Sequence, residues 1–135
     1  MFLLDTNVIS ETRLPQTGNR AVLTWIDSIE QEHLFLSAIT EYELELGVLM
    51  KERKDGQRAP RHRRWLEGVR DVFADRILPV HPETARLCAG LNVPDRLPFA
   101  DALIAATALQ RGLTVVTRNE RDFDVPELAV LNPFH

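Results

Sequence analysis

Phe2-Leu3-Leu4-Asp5 is the stretch on which the fold turns: three apolar residues in succession, then an acid. No polar residue alternates with them, so the segment reads as a strand covered on both faces. Such strands belong to parallel sheets. Leu34-Phe35-Leu36 repeats the pattern, and Leu113 to Val116 gives it again in β-branched form. Ile77 to Val80, weakened by Pro79, and Ala129-Val130-Leu131 complete the series.

Helical periodicity fills the intervals. Asn19 is a suitable N-cap for a helix carrying Val22, Trp25, Ile26 and Ile29 on one face. Thr40 is expected to open a helix reaching about Arg53, and another follows through Trp65, Leu66, Val69 and Phe73. Pro82 to Gly90 reads as a short helix. Pro98 starts a further one, with Leu103, Ile104, Thr107 and Ala108 on one face, which stops at Gly112. Strands alternating with helices predict an α/β domain: a central, mostly parallel sheet flanked by helices, with right-handed crossovers. The 135 residues fit one domain with its own core.

A net charge of −4 argues against binding polyanions through the whole surface. Nucleic acid would need a local basic patch or a metal ion. The single cysteine, Cys88, excludes an internal disulfide and fits a reducing interior. Within Ala85, Leu87, Cys88 and Leu91 it reads as a small buried hydrophobe. Asp5 breaks the opening apolar run at once, so no secretory signal is read, and no stretch nears the roughly 20 apolar residues of a membrane span. The expected location is the cytoplasm.

The acids follow the strands. Open parallel sheets bind ligands outside the carboxyl ends of their strands. Asp5 ends the first strand, and Glu43 sits in the first turn after the second. Asp101 occupies the first turn of the helix that Pro98 opens, and Asn119 and Asp122 lie just past Val116. All five map to one edge. Clustered carboxylates repel unless a cation neutralises them, and oxygen-only ligands suit Mg²⁺ or Mn²⁺. His33, His62, His81 and His135 show no ligand spacing, which disfavours zinc. Each acid also has a local alternative. Thr40-x-x-Glu43 is a capping box, Asp101 suits a helix dipole, and Asp122 can turn the Arg121–Asp124 loop. Asp5 has the weakest alternative, since an acid closing an apolar central strand is costly without a partner.

Lys51 to Arg64 is the sharpest composition shift, with seven Lys/Arg against two acids and a turn marked by Gly56 and Pro60. Arg58, Arg61, Arg63 and Arg64 are candidates for gripping an RNA backbone. The alternative is a solvated connection between two helices.

Together the motifs resemble those of the PIN-domain nucleases, specifically toxins of the VapC and FitB type. They are Leu4-Asp5-Thr6-Asn7-Val8-Ile9-Ser10, then Leu36-Ser37-Ala38-Ile39-Thr40 with Glu43-Leu44 and Gly47. Ala100-Asp101-Ala102-Leu103-Ile104-Ala105-Ala106-Thr107-Ala108 follows, then Val116-Thr117-Arg118-Asn119 with Asp122-Phe123, and finally Leu131-Asn132-Pro133-Phe134. The resemblance spans essentially the whole chain, residues 1–135. It implies a three-layer PIN-like fold and a Mg²⁺- or Mn²⁺-dependent endoribonuclease, the toxin of a toxin–antitoxin pair. It also implies a homodimer that assembles further with a cognate antitoxin. By resemblance the acidic positions fall on Asp5, Glu43 and Asp101, with Thr6, Asn7 and Thr117 orienting them. FitB-like proteins carry an acid where this chain has Asn119, so either Asn119 or Asp122 completes the site. Leu44, Val48 and Leu49 are expected to line an antitoxin groove. A catalytically weak domain that chiefly binds an antitoxin is the competing reading.

Two other α/β enzymes fail on chemistry. A haloacid-dehalogenase phosphatase needs an acid where Asn7 stands, and a response-regulator receiver needs a late lysine, yet none follows Lys54.

Overall fold

A computed structural model describes residues 1–55 and 59–135. Five strands form one sheet: β1 (Phe2–Leu4), β2 (Leu34–Ser37), β3 (Ile77–Leu78), β4 (Thr114–Val116) and β5 (Val130–Leu131). Every pairing among them is parallel, in the order β3-β2-β1-β4-β5. The helices are α1 (Thr6–Ile9), α2 (Arg20–Ser28), α3 (Ala38–Asp55), α4 (Ala59–Val72), α5 (Pro82–Leu91) and α6 (Phe99–Arg111).

The unbroken apolar strands do what their composition requires. Leu4, Leu36 and Val116 point into a core built with Val8, Val22, Leu44, Val48, Leu66 and Val69, from α1 to α4. Their neighbours Leu3 and Val115 point the other way, onto Ile104, Ala105 and Ala108 of α6. Strand side chains alternate between faces, so a strand apolar on both must be covered on both. The result is three layers.

Helix α6 is buried from Ala102 through Ala108, because it lies between the sheet and α5. Alanines on both sides let it sit close to each neighbour. Cys88 lies in that second contact, buried as a packing residue. Gly112 ends α6 at φ +65°, and the chain turns there into β4, with the Leu113 N–H donating to Ala108 O at 2.9 Å. Asn19 caps α2 as expected, accepting from the Val22 N–H at 3.1 Å.

Three expectations need correction. Helix α3 begins at Ala38, two residues before Thr40, because Ser37 Oγ accepts from the Thr40 N–H at 3.1 Å. Thr40 is therefore not the cap. Leu44 and Val48 are buried core residues rather than an exposed apolar face. The exposed apolar residues of α3 are Tyr42, Leu46, Leu49 and Met50. Pro60 lies in the first turn of α4 rather than in a turn, while Gly56 and Arg58 fall outside the described residues. No helix of the described residues is long and apolar enough to cross a membrane.

The chain crosses from β1 to β2 and β3 on one side, then fills β4 and β5 on the other. The reversal falls between β1 and β4, and ligands bind at such a switch point.

Glycine is needed at 112, where an L side chain costs about 1–2 kcal/mol in the left-handed region. Gly112→Ala should lower the melting temperature by roughly 3–6 °C. At Gly90 in α5 a Cβ meets nothing within 4 Å. Gly90→Ala should therefore raise it slightly, a contrast that differential scanning fluorimetry reads directly.

Candidate metal centre

Asp5 follows β1 at the switch point and is only 5% exposed. Its N–H donates to Val116 O of β4 at 2.9 Å, which keeps the residue inside the sheet. Three donors hold its carboxylate. The Thr6 N–H reaches Oδ1 at 2.8 Å, and Oδ2 accepts from Thr117 Oγ1 at 2.8 Å and Asn7 Nδ2 at 3.2 Å. Oδ1 thus keeps one lone pair unengaged by the described residues.

The orienting residues are themselves fixed. Asn7 Oδ1 accepts from the Arg118 N–H at 3.1 Å, and Thr117 Oγ1 accepts from the Asn119 N–H at 3.0 Å. Thr6 Oγ1 donates to Glu43 Oε1 at 2.5 Å, joining the end of β1 to α3. Glu43 is therefore drawn toward Asp5 rather than back to the start of its own helix, which excludes the capping box.

Asp101, in the first turn of α6, meets the same group from the opposite layer. Burial pushes its carboxyl up to about 6, and the charges of Asp5, Asp122 and Glu43 add to the rise. Burial also raises Asp5. The hydrogen bonds from Thr117 and Thr6 oppose that rise, and the Glu43 charge adds to it. Asp122 comes from the 3-10 turn Glu120–Phe123, anchored by buried Phe123. Four acids from β1, α3, α6 and the segment after β4 thus share one electrostatic neighbourhood. Asn119 joins it through its backbone.

The grouping is open. Among the described residues, the one trio of His, Asp or Glu with ligand atoms within 4.8 Å of one another is Glu30, Glu32 and His33. That trio precedes β2, at the amino edge of the sheet, and its two glutamates are exposed. An open oxygen-only set suits Mg²⁺, which keeps several waters and takes one or two carboxylates.

Arg63 has another occupation. It pairs with Glu45 at 2.8 Å and Glu52 at 2.9 Å, while Arg70 pairs with Glu41 and the same Glu45. Hydrogen bonds from the two arginines hold the Glu45 carboxyl at about 2. The network fastens α3, and with it Glu43, to α4.

Residues 2–128 match the PIN domain family. The chain belongs to that family. It is 42% identical to Toxin FitB of Neisseria gonorrhoeae, over 100% of this chain and 99% of that protein. It is 39% identical to VapC ribonuclease Y4jK of Sinorhizobium fredii, over 99% and 98%. Among solved structures it resembles FitAcB from Neisseria gonorrhoeae, with TM-score 0.90 and 40% identity over 100% of this chain and 99% of that one. FitAB bound to an IR36 DNA fragment gives TM-score 0.89 and 39% identity over 100% and 96%.

Arg13 escaped the reading of this PIN domain's sequence. It lies far from the basic run, in a loop, and no local pattern singles it out.

The raised carboxyl of Asp101 has a consequence for stability. A folded-state value near 6 against an ordinary 3.8 means the native state holds that proton more tightly than the unfolded chain. Its contribution is complete below about pH 4 and lost as pH rises through about 6. In EDTA, Asp101→Asn should therefore melt higher than the native protein at about pH 7.5. The gain should shrink at about pH 4.5, and an equal gain at both would contradict the raised Asp101 carboxyl.

Proposed function

We propose that this PIN domain is the toxin of a toxin–antitoxin pair and acts as an endoribonuclease dependent on Mg²⁺ or Mn²⁺. The observation that carries the reading is the convergence of Asp5, Glu43, Asp101 and Asp122 at the β1/β4 switch point. Relatives named as a toxin and a VapC ribonuclease support it. An antitoxin partner is inferred because the solved relatives include FitAB and FitAcB assemblies. A homodimer working in the cytoplasm belongs to the same reading.

Asp5 and Asp101 would hold the ion, with Glu43 and Asp122 or Asn119 completing its surroundings. A divalent cation held there would supply the acidity of a coordinated water and the positive charge that offsets charge growing on a phosphate.

The protein's own groups set the conditions for that chemistry. Thr117, Asn7 and the Thr6 N–H aim the Asp5 carboxylate and leave one Oδ1 lone pair unengaged by the described residues. The Thr6 hydroxyl keeps the Glu43 carboxylate turned inward. Burial and the charges of Asp5, Asp122 and Glu43 raise the Asp101 carboxyl, so added positive charge there favours its ionised form. Burial of Asp5 and Thr117 keeps bulk water from competing for these hydrogen bonds.

Asp5→Asn and Asp101→Asn should each abolish metal-dependent cleavage of RNA with the far-UV circular dichroism unchanged. Thr117→Ala, which only misorients Asp5, should retain activity reduced roughly 10–100-fold. Asp122→Ala should cost more than Asn119→Ala, because the charge of Asp122 reaches Asp101. Full cleavage by purified Asp101→Asn, or by the native protein in EDTA, would remove the metal mechanism.

A further inference from the structure

The basic segment divides when its partners are traced. Arg63 is committed to Glu45 and Glu52. Arg61 and Arg64 form no ion pair with a described residue, and neither does Arg13, which arrives from the loop after α1. These three guanidiniums converge with Lys51 and His62 on one cavity of about 650 Å³, and no acid lines it among the described residues. Lys51 is partly neutralised by Asp55 at 2.6 Å. The arginines are not.

A second cavity, of about 270 Å³, adjoins the first. It shares Arg13, Lys51 and His62 with it, and its other lining includes Thr6, Ser10 and Glu43. A single trough therefore runs from Glu43 of the acid cluster, past the end of α1, into the basic cavity. Cations gathered without counter-charges repel one another and create a local positive potential in a protein of net charge −4. That potential is relieved by an anion. Because the cavity opens onto the trough that reaches Glu43, one polymer can fill both ends, which a small free anion cannot do.

We propose that the cavity formed by Arg13, Arg61 and Arg64 is a phosphate-binding subsite for the RNA strand, positioning it as it leaves the acid cluster. This rests on the nuclease reading above for the identity of the polymer. Guanidinium groups suit the role because they bind phosphate oxygens in a planar, bidentate manner and stay charged. The subsite grips backbone rather than bases, so it adds affinity without sequence preference.

Binding can be read apart from cleavage. The probe is a fluorescein-labelled single-stranded RNA of about 12 nucleotides, titrated by anisotropy in EDTA over a range of salt. Arg13→Ala and Arg64→Ala should each flatten the slope of log K against log salt by about 0.7. That corresponds to about fivefold weaker binding at ~0.1 M salt relative to 1 M. Arg64→Lys should recover most of the slope, and Arg86→Ala, an equal loss of charge on α5, should leave it unaltered. With Mn²⁺ present, the same two alanine variants should raise KM and hold kcat within about twofold. Unchanged affinity and slope in Arg13→Ala and Arg64→Ala would overturn the subsite, and RNA cleavage by the native protein would then still stand. Slopes that flatten in a protein unable to cleave RNA would support the subsite and count against the nuclease. A native protein that binds no RNA would overturn it outright.

Discussion

A central parallel strand that ends on a buried carboxyl group imposes a requirement on everything around it. Asp5 sits almost wholly buried between the ends of β1 and β4, where solvation by water is largely lost. Burial of an unpaired charge is costly, and three donors offset that cost. Two come from the one-turn helix α1 and one from Thr117 across the switch point. A four-residue helix cannot sustain itself. It persists because Asp5 caps it and because Val8 and Ile9 sink into the core. The local conformation after β1, the junction with β4 and the orientation of the acid are one arrangement.

Charge is used in two opposite ways across the molecule. Along the α3–α4 contact, Glu41, Glu45 and Glu52 are matched with Arg63 and Arg70, so those charges satisfy each other and fasten two helices. Along the trough they are separated. Acids gather at the sheet edge, and unpaired arginines gather at the far end. A net charge of −4 averages over this polarity and conceals it. Matched pairs add little beyond local order at exposed positions. Unmatched groups of one sign store repulsion, which binding can release.

Much of the fold was legible because unbroken apolar strands and strand-end acids are local features. Leu3 and Leu4 alone imply cover on both faces, and the acids at the carboxyl ends imply a shared edge. What could not be read depended on long-range partners. Thr40-x-x-Glu43 has the same spacing whether Glu43 caps its helix or faces a site, and a contact with Thr6, distant in sequence, decides between them. Apolar residues lie on several sides of α3, so periodicity did not separate buried Leu44 and Val48 from exposed Leu46 and Leu49. Composition likewise treated Arg61, Arg63 and Arg64 as one group. Only the helix surface, with Arg63 turned to α3 and its neighbours to the cavity, distinguishes them.

The same distinction between a residue's type and its position bears on position 119, where the family resemblance implies an acid and this chain has Asn119. The polypeptide after Thr117 leaves the sheet, and the Asn119 N–H is already engaged by the Thr117 hydroxyl. One 3-10 turn later, the Asp122 N–H donates to Asn119 O at 3.1 Å, and Phe123 is buried beside it. That turn carries Asp122 back toward α6, where its charge weighs on Asp101 after that of Asp5 and before that of Glu43. A negative charge is therefore present at this corner even though position 119 is neutral. Electrostatics depends on where a charge lies, and a tight turn with a buried anchor can supply it from three residues away.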